Sequence, residues 1–340
     1  MLAAIVQSPG QLVVREAPVP RIDSTECLVE TLACSICNST DRKILEGRFR
    51  YKGPEAYPGI IGHESVGRVV ECGSDVETFD IGDLVLRSGA SYTEAEGVDL
   101  NCMYGGMAQY GKVKDPLHGG SPNQQIVPPE MDPVDATMLI TLKEALSWLQ
   151  RWGVGAGHSV VVLGSGPVGL SFAFFAKLLG CGPVLVLGRR DEPLSRAMGL
   201  GIDGVINTQR DDPASVVGHW TGGKGADRVI EAVGDDSLVD LGLTLLSADG
   251  RLGIYGIAPT RAPGDMERRA VDIGLGRAEW SVEFFGPREW QPHEHLLWLV
   301  KRGIVHLRDY YTHVVPIQQA PKGFELLASK EAFKVVVSMQ

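Results

Sequence analysis

The chain has 340 residues, 44% hydrophobic and 22% charged, enough apolar material for a globular protein with more than one core. A formal charge of −10 and a pI near 5.3 argue against nucleic acid or an anionic membrane as the main partner. No apolar run approaches the roughly 20 residues that span a bilayer, the N-terminal MLAAIVQSPG has neither a basic region nor a cleavage site, and six cysteines are too few for a disulfide scaffold, so a cytoplasmic protein is expected.

Residues 1–125 read as short strands joined by turns. Leu2–Val6 and Gln11–Val14 flank Ser8-Pro9-Gly10 and predict a hairpin. Cys27–Ala33 and Gly67–Cys72 are further β-branched runs, and Gly82-Asp83-Leu84-Val85 begins another, so this part reads as a barrel-like β module. The stretch Ser88–Asn123 is long, polar and glycine-rich and reads as a functional or mobile loop, with Tyr92 and Tyr104 as candidate pocket-lining residues.

From about Pro133 the texture changes. Ala136–Trp152 has helical apolar spacing, Ser159–Leu163 is a continuous β run, and Val168–Leu179 is an apolar helix. Strands at Val184–Leu187, Arg228–Glu231 and Arg251–Tyr255 follow. Fully apolar strands alternating with helices predict a doubly wound parallel sheet. The tail ends in the strand-like Lys334–Ser338. The expected domains are 1–135 with 300–340, and 136–299. His293-x-His295 reads as a solvated helix start, and Trp148 and Trp152 as core.

Gly164, Gly166 and Gly169 form a GxGxxG that follows a strand and opens a helix, with Pro167 and Val168 at the helix start. The glycines permit a tight turn, backbone approach to a pyrophosphate and close helix–strand packing, and the helix N-terminus offers free N–H groups to phosphate. The second strand ends in Gly188-Arg189-Arg190, where an NAD site would carry Asp or Glu for the ribose hydroxyls. Two guanidinium groups suit a 2′-phosphate, which predicts NADP(H). Asp191 and Glu192 fall past the strand end, at the start of the next helix.

Gly62-His63-Glu64-x-x-Gly67 lies downstream of Cys37. A thiolate and an imidazole are good zinc ligands, and an open coordination position would let the metal polarise an alcohol or carbonyl oxygen.

With the zinc signature at 62–76, Gly82-Asp83-x-Val85, Gly105-Gly106-Met107-Ala108-Gln109-Tyr110, the nucleotide turn and Gly225–Gly234, the chain resembles the medium-chain dehydrogenase/reductase superfamily. The likeness is to its zinc-dependent alcohol and polyol dehydrogenases, of the sorbitol and threonine dehydrogenase kind. The resemblance implies an α/β chain with a GroES-like catalytic domain and a Rossmann domain. It implies one catalytic zinc per chain, ligated by Cys37 and His63, with Glu64 as the adjacent acid able to ligate or withdraw. Only Cys102 stands where relatives carry a four-cysteine lobe, so no structural zinc is expected.

Two departures from the family pattern leave alternatives open. The third ligand position falls on Ile140, which cannot bind metal; Glu64, or Glu144 one helical turn further on, would complete the site. The proton relay, usually Cys-x-[Ser/Thr]-Asp-x-His, has one extra residue here. Anchoring on Asp41 selects Thr40 with Lys43, whereas anchoring on Cys37 selects Ser39 with Arg42.

The expected activity is NADP(H)-dependent, zinc-assisted interconversion of a secondary alcohol and a ketone, on a polyol, sugar or cyclitol-like substrate, in a homodimer or homotetramer. The alternatives are a zinc-free reductase of enones or quinones on the same fold, and a non-catalytic nucleotide-binding protein.

Overall fold

A computed structural model describes residues 1–49, 53–256, 279–281 and 288–339. The chain forms two compact units, Met1–Lys143 with Trp290–Gln340, and Glu144–Glu289. The divisions therefore fall at 143/144 and 289/290, several residues from the expected 135/136 and 299/300. The helix read at 136–152 is one reason, because it runs unbroken from Met138 to Arg151 across the junction. The other is His293, which begins the helix His293–Lys301 and sends Nε2 to the Ile126 carbonyl at 2.8 Å. The helix starts where 293–295 was expected to start one and His295 is exposed, but His293 is not solvated: it is buried, and burial pushes its pKa down.

The first unit contains β1 (Leu2–Ser8), β2 (Gln11–Glu16), β3 (Glu26–Ser35), α1 (Thr40–Leu45), β4 (Gly59–Ile60), β5 (Glu64–Cys72), β6 (Leu84–Leu86), β7 (Asn101–Cys102), β8 (Tyr110–Lys114), β9 (Ile126–Val127) and α2 (Pro133–Ala136). β1 and β2 form the hairpin about Pro9-Gly10 and belong to a small sheet of order β2-β1-β4-β7. A larger sheet is centred on β3, which pairs antiparallel with β5, with β8 and with the C-terminal strand Val335–Ser338. The stretch 88–123 is not a plain loop, since it contains β7, β8 and the bridges Ala3↔Ala108 and Gly89↔Lys112. Its glycines gave it the look of a loop, but they serve close packing: a Cβ on Gly89 would lie 2.1 Å from the Tyr104 carbonyl oxygen.

The second unit begins within α3 (Met138–Arg151) and contains β10 (Val160–Leu163), α4 (Pro167–Leu178), β11 (Val184–Gly188), α5 (Asp191–Gly199), β12 (Gly204–Asn207), α6 (Pro213–Trp220), β13 (Ala226–Glu231), α7 (Asp236–Thr244), β14 (Leu246–Ile254) and β15 (Glu279–Ser281). Their order in the sheet is β12-β11-β10-β13-β14-β15, and every pairing is parallel. The chain order reverses beside β10, so the turn after β10 sits at the switch point where doubly wound sheets bind ligands. Val161, Leu163, Leu185, Val229 and Leu252 are buried in one cluster, which explains the unbroken apolar strands.

Trp148 packs against Trp152 at 4.9 Å, Phe172 at 5.2 Å and Tyr255 at 6.4 Å between ring centroids. β14 passes this cluster with Gly253, where a Cβ would come within 2.2 Å of the Trp148 ring. Glu231, at the end of β13, accepts hydrogen bonds from the Val233 and Gly234 N–H groups. Burial nevertheless raises its pKa to about 6.

A raised carboxyl pKa means that the folded state holds the proton more tightly than the unfolded chain. Glu231 should therefore remove stability as pH rises from its ordinary 4.5 through about 6, by about 2 kcal/mol in all. Denaturant unfolding of the wild type and Glu231→Gln between pH 4 and 7 measures this, and the variant should lack that part of the decline.

Candidate metal and cofactor site

Ser39 stands at the N-cap position of α1 without a side-chain capping bond, Thr40 begins the helix, and Asp41 lies in its first turn, where an acid favours the helix dipole. Asp41 is buried and bridges two ligand candidates. Its Oδ2 accepts from the Cys37 backbone N at 2.8 Å, and its Oδ1 lies 3.2 Å from His63 Nδ1. The Nε2 side of the imidazole thus remains for a ligand. The Thr40 N–H points at Cys37 Sγ from 3.4 Å.

His63 follows Gly62, whose φ is +97 and where an added Cβ would lie 2.8 Å from the Met107 nitrogen, so a side chain is excluded. Burial alone would push the His63 imidazole down, but the Asp41 carboxylate outweighs it and holds the pKa well above the ordinary value. That same negative field would stabilise a metal cation at the ring. Arg87 and Tyr104, both with positive φ, flank His63: an Arg87 N–H donates to the His63 carbonyl at 2.9 Å, and the Tyr104 ring lies 5.1 Å from the imidazole. Tyr92 instead hydrogen-bonds the Pro18 carbonyl.

Glu64 is buried with Lys334, whose Nζ lies 2.5 Å from Oε2. The Ser35 hydroxyl also donates to Oε2, and the Thr141 hydroxyl donates to Oε1 at 3.2 Å. Burial would raise the Glu64 pKa; Lys334 reverses the direction and keeps the carboxylate ionised. Lys334 is itself held charged by Glu64 against its own burial.

One ligand atom from each of Cys37, His63 and Glu64 falls within 4.8 Å of the others, and theirs is the one such group among the described residues. A soft thiolate, an imidazole oriented by a carboxylate and a carboxylate oxygen suit zinc. Glu144 is not brought into this group. Its Oε2 accepts the Tyr255 hydroxyl at 2.7 Å, and Ile140 is fully buried as an ordinary core residue. Cys34 is also fully buried, and burial pushes its thiol pKa well up.

The relay residues pair differently from either sequence alignment. Ser39 Oγ accepts from Lys43 Nζ at 3.2 Å, the i,i+4 pairing of α1, while Arg42 turns away to Glu46 at 2.8 Å. Asp41 stood in the quoted motif without a role. Lys334 gave no local signal, lying 270 residues from Glu64. Thr141, next to Ile140, was the nearest available clue to the contacts of Glu64.

In the second unit Gly164 has φ +126, and a Cβ on Gly169 would sit 1.8 Å from the Gly164 carbonyl oxygen. Both are glycines for internal reasons. Gly166 differs, because a Cβ there would meet nothing within 4 Å. The open space faces the start of α4, where Pro167 occupies the first turn and backbone N–H groups point outward, as a pyrophosphate requires. Gly188 ends β11 against Ser165 Oγ, which a Cβ would approach to 2.4 Å. Arg189 and Arg190 follow, both exposed. Asp191 is committed to Asn207 at 2.8 Å and Arg210 at 2.7 Å.

The alcohol dehydrogenase GroES-like domain family matches residues 23–119, and the zinc-binding dehydrogenase family matches residues 167–292. The chain belongs to the zinc-dependent alcohol dehydrogenases of the medium-chain dehydrogenase/reductase superfamily. It is therefore an oxidoreductase of a family that works with zinc and a nicotinamide cofactor on small molecules. L-threonine 3-dehydrogenase of Bacillus velezensis is 28% identical over 95% of this chain and 94% of its own. Alcohol dehydrogenase TADH from Thermus sp. ATN1 superposes with a TM-score of 0.81 at 25% identity, over 99% of both chains. A Sinorhizobium meliloti protein bound to NADP gives a TM-score of 0.79 at 25% identity, over 99% of this chain and 98% of its own. Among the described residues no helix is long and apolar enough to cross a membrane.

Asp41→Ala should weaken zinc binding by about 10–100-fold, because the imidazole and the Cys37 backbone both lose their orienting carboxylate. Competition with a chromogenic chelator measures this. Glu144→Ala should leave zinc affinity unchanged in the same assay, its carboxylate being bound to Tyr255.

Proposed function

We propose that this dehydrogenase interconverts a secondary alcohol and a ketone with NADP(H), acting on a polyol-, sugar- or cyclitol-like substrate with one catalytic zinc per chain and no structural zinc. Cys37 and His63 are its ligands, with Glu64 as the third. The observation that carries this reading is the convergence of these three side chains within 4.8 Å, a few residues from the Ser39–Lys43 pair. When bound, zinc supplies Lewis acidity toward the substrate oxygen, and the nicotinamide ring supplies or accepts hydride at carbon.

The chain's own residues align and move the proton. Lys43 Nζ donates to Ser39 Oγ, which leaves the Ser39 hydroxyl proton free to pass to the substrate oxygen as a ketone is reduced. Thr40, in the same turn, is the second hydroxyl that could serve. Asp41 holds His63 and Cys37 in place. The cofactor reading rests on Gly166 and the N-terminus of α4 for the pyrophosphate, with Pro167 and Val168 opening the helix. Arg189 and Arg190 are exposed directly after β11, at the position that faces a 2′-phosphate in this reading, while Asp191 is engaged with Asn207 and Arg210. A homodimer or homotetramer is expected, with a cytoplasmic location as the sequence composition suggests.

Elemental analysis of the purified enzyme, joined to NADPH absorbance assays, tests this. About one zinc per chain is expected, and Cys37→Ala and His63→Ala should each lose both metal and turnover. The panel comprises ketoses, cyclitol ketones, polyols and L-threonine, the last because a relative carries that name. Near-normal turnover in either variant, or zinc-free protein that reduces an enone or quinone, would move the assignment to a zinc-independent reductase.

The enzyme should prefer NADPH over NADH by at least about tenfold in kcat/KM, since a charge-assisted contact to phosphate is worth roughly 1.5–3 kcal/mol. Arg189→Ala/Arg190→Ala should erase that preference. Equal use of both cofactors by the wild type would contradict the assignment.

A further inference from the structure

Two thiols outside the metal centre stand directly opposite each other in the first unit. Cys27 and Cys72 are register partners on β3 and β5, and their Sγ atoms are 2.8 Å apart. We propose that Cys27 and Cys72 form an oxidisable dithiol that closes to a cross-strand disulfide by exchange with a low-molecular-weight disulfide.

Geometry favours closure. Directly opposed residues of an antiparallel pair have Cα atoms about 4.5–5.5 Å apart, inside the roughly 4.4–6.8 Å span of disulfides. The ladder already holds the two cysteines in register, so the bond needs only side-chain rotation. The two sulfurs are unequal. Cys72 ends β5 and is half-buried, whereas Cys27 is fully buried in an apolar cluster with Val29, Val69 and Phe79. Burial first, then Cys72 and the carboxylates of Asp115 and Asp83, push the Cys27 thiol far up. Cys72 is therefore the attacking thiolate and Cys27 the resolving thiol.

In the first step Cys72 Sγ⁻ attacks the reagent disulfide, whose S–S bond breaks to release one thiolate. In the second, Cys27 sulfur attacks Cys72 of the mixed disulfide, its proton passing to the departing thiolate. Two thiol protons and two electrons leave the protein, and one reagent disulfide becomes two thiols. The far end of the same β3–β5 ladder pairs Ser35 with Glu64, so closure leaves the metal-centre register as it stands.

The full-length enzyme is incubated with oxidised glutathione, then denatured and alkylated. Alkylatable thiols should fall from six to four, the two sulfurs of the pair being lost. Tryptic mapping should join the peptide with Cys27 to the peptide with Cys72, and fragmentation must separate Cys27 from Cys34 and Cys37, which share its peptide. The bond closes a 45-residue separation and should raise the melting temperature by roughly 8 °C, reversed by dithiothreitol. Cys72→Ser should show neither link nor rise; so should Cys27→Ser, but Cys72→Ser decides if a hydroxyl at buried position 27 disturbs folding. Six alkylatable thiols after treatment, a link mapping to Cys34 or Cys37, or a lowered melting temperature would each overturn the proposal.

Discussion

Much of the first unit depends on one buried ion pair, Glu64 with Lys334. Neither charge could sit there alone: stripping an ion of water costs several kcal/mol, and deleting one partner of such a pair typically costs about 3–5 kcal/mol. Ser35 and Thr141 fill further hydrogen-bonding positions on the carboxylate, so its charge is met from four directions counting the neighbouring imidazole. The pair fastens the last strand of the chain beside β3, which carries Ser35 at its end. It also explains why Glu64, though next to His63, presents one oxygen toward the ligand group while the other is committed to Lys334.

The two carboxylates weighed as a third ligand separate by what surrounds them. Glu64 stays charged because a lysine is buried with it. Glu144 accepts the Tyr255 hydroxyl and lies outside the Cys37–His63–Glu64 group. At Ile140 the helix presents an aliphatic side chain to the core, with no ligand atom to offer. A helical-turn argument from the sequence could bring Glu144 within a turn of the missing position, but it carried no information about which group would claim its oxygens.

The features legible in the sequence were those set by local rules. The hairpin at 2–16, the apolar parallel strands, the glycine turn and the His63-Glu64 dipeptide all announce themselves through spacing or backbone demands. Three kinds of feature did not. Lys334 acts from a strand that pairs with β3 only in the folded chain. The strands within 88–123 are two to five residues long and interrupted by glycines that pack against backbone, so composition alone resembles a loop. The Ser39–Lys43 pairing depends on where α1 starts, and element ends are what sequence patterns locate least well. His293 looked polar and became buried because a backbone carbonyl was waiting for it.

The aromatic cluster of the second unit has an optical consequence. Trp148 and Trp152 are the buried tryptophans among the described residues, whereas Trp220, Trp290 and Trp298 are substantially exposed. The blue edge of the intrinsic emission therefore belongs to a pair of indoles 4.9 Å apart, close enough for strong excitonic coupling. Tyr255 lies 6.4 Å from Trp148 with its hydroxyl bonded to Glu144. The parallel-sheet unit thus carries its own built-in fluorophore, packed against the strand that Gly253 allows to pass so close.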